Sequence, residues 1–151
     1  MTAALECRVL CPELAPAIAH FFERISAAGV DKYFHPHPFS AAQAARLSQY
    51  SGHDLYYALL LGQEMVGYGL LRGWDEGYEA PSLGIAIDPA AQGRGFGRLL
   101  MEFLHAAAAA RGANKIRLRV DPCNARAISL YESLGYVFQG EESGQLLAIR
   151  G

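Results

Sequence analysis

The sequence predicts an α/β fold, with a mixed central sheet of about seven strands and helices on both faces. Three observations carry this. The elements follow in the order strand, helix, helix, three strands, helix, strand, helix, two strands, which is a layered α/β order. Segments with apolar residues at every second position alternate with segments at helical spacing. In the middle, Ser82 to Met101 reads as a strand, a glycine-rich turn and the start of a long helix.

Taken in order, Glu6 to Leu10 alternates and forms the first strand. Cys11-Pro12 ends it, and a helix runs to about Ser26 with Leu14, Ile18, Phe21, Phe22 and Ile25 at helical spacing. Gly29 supplies a left-handed cap. Asp31 to Phe39 is irregular, because His35-Pro36 and His37-Pro38 forbid helix and favour extended chain. Ser40 to Gln43 has the form of a capping box, opening a helix to about Ser51. Asp54 to Leu61 and Met65 to Leu71 form a hairpin around Gly62-Gln63-Glu64. Arg72 to Pro81 is a longer connection leading to the central strand, where Leu83, Ile85 and Ile87 alternate. After the glycine turn a helix runs from about Gly95 to Arg111, with Leu99, Leu100, Phe103 and Leu104 expected inward. Ile116, Leu118 and Val120 alternate with Arg117 and Arg119 in a strand with one polar face. Asn124 to Leu134 is a short helix, and Tyr136 to Phe138 and Gln145 to Ile149 are two closing strands.

The 151 residues fit one domain, residues 1–151, with 52% hydrophobic content for a core. A formal net charge of −2 gives no global attraction to nucleic acid or to an anionic membrane. No apolar run approaches the roughly 20 residues of a bilayer span, and no signal peptide is evident. Three cysteines, Cys7, Cys11 and Cys123, read as buried reduced thiols, consistent with the cytoplasm. The His35-x-His37 spacing has no third ligand beside it, so no metal is expected.

Pro89 stops the central strand, since it offers no N–H to a ladder. Gly93, Gly95 and Gly97 then allow tight turning and close approach of a ligand. The helix behind them presents unpartnered N–H groups at its positive end, which suits a phosphate. A dinucleotide fingerprint would need glycine at the position of Arg98, and a Walker loop needs Gly-Lys-Ser/Thr, which is absent. Gln92-Gly93-Arg94-Gly95-Phe96-Gly97 instead matches Gln/Arg-x-x-Gly-x-Gly/Ala, the acyl-CoA loop of the GNAT superfamily of N-acyltransferases. A second segment, Asn124 to Tyr136, resembles that superfamily's Asn-x-x-Ala-x-x-Leu-Tyr-x-x-x-Gly-Phe/Tyr pattern. The chain therefore resembles a GNAT enzyme over nearly its whole length, apart from Asp31 to Phe39 and Trp74 to Pro81.

The resemblance implies acetyl-CoA as co-substrate and direct transfer to an amine. It implies that the N–H groups of Gly93 to Arg98 bind the diphosphate, with charge from Arg94 and Arg98. It gives Asn124 to the pantetheine arm and Tyr131 to the thioester sulfur, as a general acid. An N–H near Ile85, Ala86 or Ile87 would hold the thioester oxygen on a strand that splays from its neighbour. For the base, Glu79 is the first candidate, followed by His35 and His37, with a water relay to either. Core packing for Tyr131, an N-cap for Asn124 and solvation for Glu79 are the structural alternatives.

The acidic, aromatic run Trp74 to Glu79 suggests a cationic acceptor or a stacked sugar. The run from Arg72 to Ile87, with the His-Pro-His-Pro loop, is similar to acetyltransferases encoded with polysaccharide-biosynthesis genes, which implies an amino sugar. Relatives of the ribosomal-protein N-terminal acetylase carry Glu where this chain has Arg119, which argues against that acceptor. The expectation is therefore transfer to a small primary amine. Protein or peptide N-acetylation and a non-catalytic acyl-CoA sensor are the alternatives. A homodimer is compatible with the sequence.

Overall fold

The computed structural model describes residues 3–151. Seven strands form one sheet in the order β1-β2-β3-β4-β5-β7-β6. They are β1 (Leu5–Val9), β2 (Leu55–Leu61), β3 (Glu64–Arg72), β4 (Ser82–Ile87), β5 (Ile116–Val120), β6 (Val137–Glu142) and β7 (Gln145–Arg150). Four helices flank it: α1 (Ala15–Ala27), α2 (Ala41–Ser48), α3 (Phe96–Ala110) and α4 (Ala125–Ser133). β4 and β5 are parallel, and the other neighbouring pairs are antiparallel.

Apolar clusters cover both faces of the sheet. On one face Ile18, Phe21, Phe22 and Ile25 of α1 are fully buried against Tyr68, Leu70 and Ala86. Each such side chain contributes about 1.5–3 kcal/mol by leaving water. On the other face Leu100, Met101, Leu104 and Ala108 of α3 pack on Leu71, Leu83, Leu118 and Ala148. Leu99 and Phe103 are not on this stripe: they are 41% and 36% exposed, against the expected inward placement. Leu100, Leu104 and Ala108 recur at four-residue steps with Met101 on the buried side of that row, and Leu99 and Phe103, one position before it, are turned about 100° to the opposite flank. Phe103 instead lays its ring edge-on to Tyr57, centroids 4.9 Å apart.

Glycine permits the close approach of these layers. A Cβ on Gly69 would come within 3.0 Å of Leu104 Cδ1, and one on Gly84 within 2.7 Å of Phe34. Ser40 caps α2 through Gln43 N–H (3.1 Å), but the Gln43 side chain turns to Arg46, so the capping box is half made. The helix stops at Ser48, three residues before the expected end. Gly29 takes the left-handed conformation behind α1, at φ +80°. Cys7 and Cys11 are half-buried while Cys123 is exposed, contrary to three buried thiols.

The irregular stretch after α1 is anchored by aromatic packing. Phe34, His37 and Phe39 gather around Phe22 and Tyr68 on the α1 face. At the end of β4, buried Asp88 holds the chain. Its carboxylate accepts from Arg24 Nε (2.8 Å) and from Ala90 N–H (3.0 Å), and Arg24 also reaches the Met65 carbonyl (2.6 Å).

His105 shares a 2.8 Å hydrogen bond with the Tyr136 hydroxyl, and burial with help from Arg150 lowers its pKa to about 4. An unfolded histidine titrates near 6.5, so the unfolded state binds the extra proton between about pH 6.5 and 4. Stability falls as pH drops through that window. Urea midpoints measured from pH 7 to 4 will decline less steeply in His105→Gln than in the parent.

Candidate active site

The β4–β5 ladder has just two residue pairs, Ser82 with Arg117 and Leu83 with Leu118. Beyond Leu83 the strands part. On its other side β4 stays paired with β3 through Ile87. Asp88 N–H bonds the Val66 carbonyl (2.9 Å), which sets the alternation along the strand. Ala86 N–H therefore faces β3, and the N–H groups of Ile85 and Ile87 face the gap. Of the three, Ala86 is in the gap lining but keeps its N–H in the ladder.

Two cavities meet in this gap. One, of about 550 Å³, is lined by Ile87, Gln92, Gly93, Gly95, Gly97 and Arg98, together with residues of α4. Gly93 and Gly95 sit at φ +80° and +82° with open space around a Cβ, so they are required for their dihedrals. None of the N–H groups from Gly93 to Arg98 bonds an acceptor among the described residues. The first bond into α3 is Leu99 N–H to Gly95 carbonyl, 3.1 Å. Six successive unpartnered donors at a helix N-terminus are an arrangement suited to an anion.

Side chains frame that cradle unevenly. Arg98 lines it and is steadied by Ser133 Oγ at 2.8 Å. Arg94 points elsewhere, its guanidinium 5.0 Å from the buried Phe96 ring. Arg126, which the sequence reading passed over, lines the cavity and bonds the Gln92 side chain. Asn124 caps α4 through its carbonyl oxygen, accepting from Ala127 N–H (3.3 Å). Its amide nitrogen remains available to a ligand.

The second cavity, of about 650 Å³, adjoins the first at the gap. Tyr33, Phe34, Ile85, Asn124 and Tyr131 line both and form the junction. Tyr131 is 7% exposed, and burial pushes its phenol up to about 12. It is protonated at neutral pH, with no hydrogen-bond partner among the described residues.

The three candidate bases separate. His35 lines the second cavity; Glu79 and His37 line neither. Glu79 is exposed on the connection, whereas Glu76 of the same run is in the lining. His37 donates from Nδ1 to the Pro38 carbonyl (2.9 Å), and its Nε2 accepts from the Tyr68 hydroxyl (2.8 Å). Burial lowers its pKa, so it stays a neutral structural pin with no free lone pair. Of the run Trp74 to Glu79, Glu76 and Tyr78 line the second cavity and the other four residues do not. Trp74 packs on the α3 core under Arg111, and Asp75 is held by Tyr50 and His53 N–H. The cavity also takes in Arg72, Arg117 and Arg119, which nothing local in the sequence marked as a group. Among the described residues no cluster of three or more metal-ligating side chains occurs.

The acetyltransferase (GNAT) family model matches residues 20–136. The chain belongs to that family. Among curated relatives, the [ribosomal protein bS18]-alanine N-acetyltransferase of Salmonella typhimurium is 48% identical over 58 residues, 38% of this chain and 39% of that protein. The mycothiol acetyltransferase of Streptomyces scabiei is 33% identical over 86 residues, 54% of this chain and 27% of that protein. The chain thus matches well under half the length of these relatives. The Escherichia coli ribosomal-protein-S18-alanine N-acetyltransferase structure superposes with TM-score 0.73 at 25% identity, over 97% of this chain and 93% of that one. The GNAT domain of S. lividans PAT gives TM-score 0.82 at 20% identity, over 96% and 89%. The seven-stranded mixed sheet is therefore the GNAT fold.

The two kinds of glycine in this GNAT loop are separable. Gly95→Ala forces a left-handed φ on a residue with a Cβ, at about 1–2 kcal/mol, and should weaken coenzyme A binding about tenfold by calorimetry. Gly97→Ala meets only an ordinary 3.6 Å contact with Leu130, and its loss should be smaller.

Proposed function

We propose that this GNAT protein transfers the acetyl group of acetyl-CoA to the α-amino group of a protein or peptide N terminus. The observation that carries this reading is the 48% identity, over 58 residues, to a ribosomal-protein alanine N-acetyltransferase, on a chain whose cavities meet at Tyr131. It displaces a free small amine as the first expectation, and with it the argument from Arg119: an arginine at that position removes one carboxylate base and leaves its task to another group of the cavity. The open cavity, bounded by loops and strand ends, suits a chain terminus entering from solvent.

In this reading acetyl-CoA is a substrate held by the Gly93 to Arg98 N–H groups, with its pantetheine arm along the gap beside Asn124. The acceptor nitrogen enters from the second cavity and forms a bond to the carbonyl carbon. The Ile85 N–H, free on the gap side, donates to the carbonyl oxygen as negative charge builds there. The carbon–sulfur bond breaks, and Tyr131 donates its hydroxyl proton toward the departing thiolate. The acceptor must first lose its ammonium proton. Three guanidiniums in the cavity disfavour that cation, and His35 and Glu76 are the lining groups able to take the proton.

A mycothiol acetyltransferase among the relatives favours a small amine as the second acceptor class, including the amino sugars that the sequence suggests. Coenzyme A release should therefore be assayed with N-terminal peptides, N-blocked lysine peptides and amino sugars. Turnover on free N termini alone is expected; turnover on amino sugars alone would overturn the reading. Tyr131→Phe should lower kcat by about 10²–10⁴ with little change in acetyl-CoA KM. Comparing His35→Ala with Glu76→Gln identifies the base, as the variant that loses the acidic limb of the kcat/KM profile.

A further inference from the structure

The floor of the acceptor cavity carries a row of residues set by strand register. Arg72 on β3 pairs with Ser82 on β4, and Ser82 pairs with Arg117 on β5. All three share the α1 face of the sheet, at a point where neither α1 nor α2 covers it. Strand spacing puts the two arginine Cα atoms about 10 Å apart with a small serine between them. Arg119 follows two residues along β5 on the same face, about 7 Å away. All three guanidinium-bearing residues line the cavity, and Glu76 is the sole carboxylate residue in that lining.

Their charges are unequally engaged. Arg72 donates from Nη1 to the Pro36 carbonyl, 3.0 Å, and helps hold the His-Pro loop. Arg119 has a loose partner, Glu142, at 3.7 Å across exposed surface. Arg117 pairs with no carboxylate within 4.0 Å, and its Nε is the one buried side-chain polar atom without a partner among the described residues. Arg117 is half-buried, its Nε shielded without a partner and its charge unpaired, in a wall shared with Ser82 and Gln145, and an incoming anionic oxygen would supply the missing counter-charge.

We propose that Arg117, with Arg72 and Arg119, forms an anion subsite that selects acceptors bearing a carboxylate or phosphate near the amine. This rests on the acyl-transfer reading and names the acceptor class of the same site. Ser82 lies three residues before Ile85, about 10 Å along β4 from the reacting carbonyl. An extended peptide covers about 3.3–3.6 Å per residue. The subsite therefore reads an acidic side chain at the second or third position from the acetylated terminus. A free amino acid or a sugar phosphate could present the same group.

The test uses the purified protein with saturating acetyl-CoA and peptides carrying Glu, Gln or Lys at positions two and three. Free aspartate and glutamate, and an amino-sugar phosphate, form the small-molecule arms. Glu peptides should exceed Lys peptides by about tenfold or more in kcat/KM, as expected for a charge-assisted contact. Arg117→Gln should bring the ratio to within about twofold, and 0.5 M salt should reduce it. Arg119→Gln, at an exposed residue, should reduce it in part and covers the case in which Arg117→Gln does not fold. As a readout independent of turnover, Glu peptide should raise the unfolding midpoint of the CoA-saturated protein, and Lys peptide should not. Equal or better use of Lys peptides would overturn the subsite and leave N-terminal acetylation standing. Acetylation of acidic small molecules with none of peptides would keep the subsite and overturn the N-terminal reading. If no acidic compound either reacts or stabilises the protein, the subsite is wrong.

Discussion

The structure depends on β4 being hydrogen-bonded along its length on one edge and released on the other. Six residue pairs tie it to β3, while two tie it to β5. A buried N–H must find a partner somewhere, and those of Ile85 and Ile87 have lost the strand that would ordinarily supply one. The gap is therefore a row of oriented donors between two packed halves of a sheet. It stays open because each half is secured elsewhere. β5 is paired through all five residues to β7, and the far end of β4 is held by the Asp88–Arg24–Met65 network. Closing the gap would require moving α1 or α3 with the strand, against cores in which Phe21, Phe22, Leu100 and Met101 are fully buried.

That opening explains how one residue can serve two cavities. Tyr131 is on α4, which is capped by Asn124 and is the next element after β5, and it lines both cavities where β5 has parted from β4. The phenol sits where the two cavities touch, against Tyr136 at a centroid distance of 5.8 Å. The burial that raises its pKa also removes competing water. An ordinary thiol has a pKa of about 8.5, well below this phenol, so full transfer to a thiolate is uphill. In the proposed reaction the proton would move as the sulfur takes up charge, after the neutral acceptor nitrogen has become cationic by bonding to the carbonyl carbon. Burial thus makes Tyr131 a held donor, released by the charge separation it offsets.

What was legible in the sequence was what local backbone chemistry dictates. The glycine loop, the Pro89 stop and the Asn124 cap are each settled within a few residues, and they carried the strand–turn–helix arrangement and the Asn–Tyr pair. The α/β order followed from periodicity. Leu99 and Phe103 were misplaced because an apolar residue reads the same on a flank of a helix as on its buried row. Glu79 and Glu76 are three residues apart on one connection, and the left-handed turn at Gly77 between them decides which faces the cavity. His37 looked chemically free, yet its partner Tyr68 is on a strand thirty-one residues away. The arginine row was invisible for the same reason. Arg117 and Arg119 were legible as a polar strand face, but Arg72 joins them solely through the register of three strands.

The unpaired Arg117 donor also bears on why such a group persists. A buried polar atom without a partner costs about 1–3 kcal/mol, and an apolar side chain of similar size would remove that penalty. The two choices differ in what they do to a bound acceptor. An apolar floor would accept neutral chains with little discrimination, since methylene contacts separate ligands weakly. A half-buried guanidinium with no carboxylate partner disfavours an acceptor that fails to supply an anion, and favours the one that does. The penalty in the free protein is then the source of discrimination in the complex. With a net charge of −2, the molecule as a whole does not attract acidic acceptors. Selectivity of that kind has to be local, and the three arginines place it on the cavity floor, beside the point where β4 and β5 part.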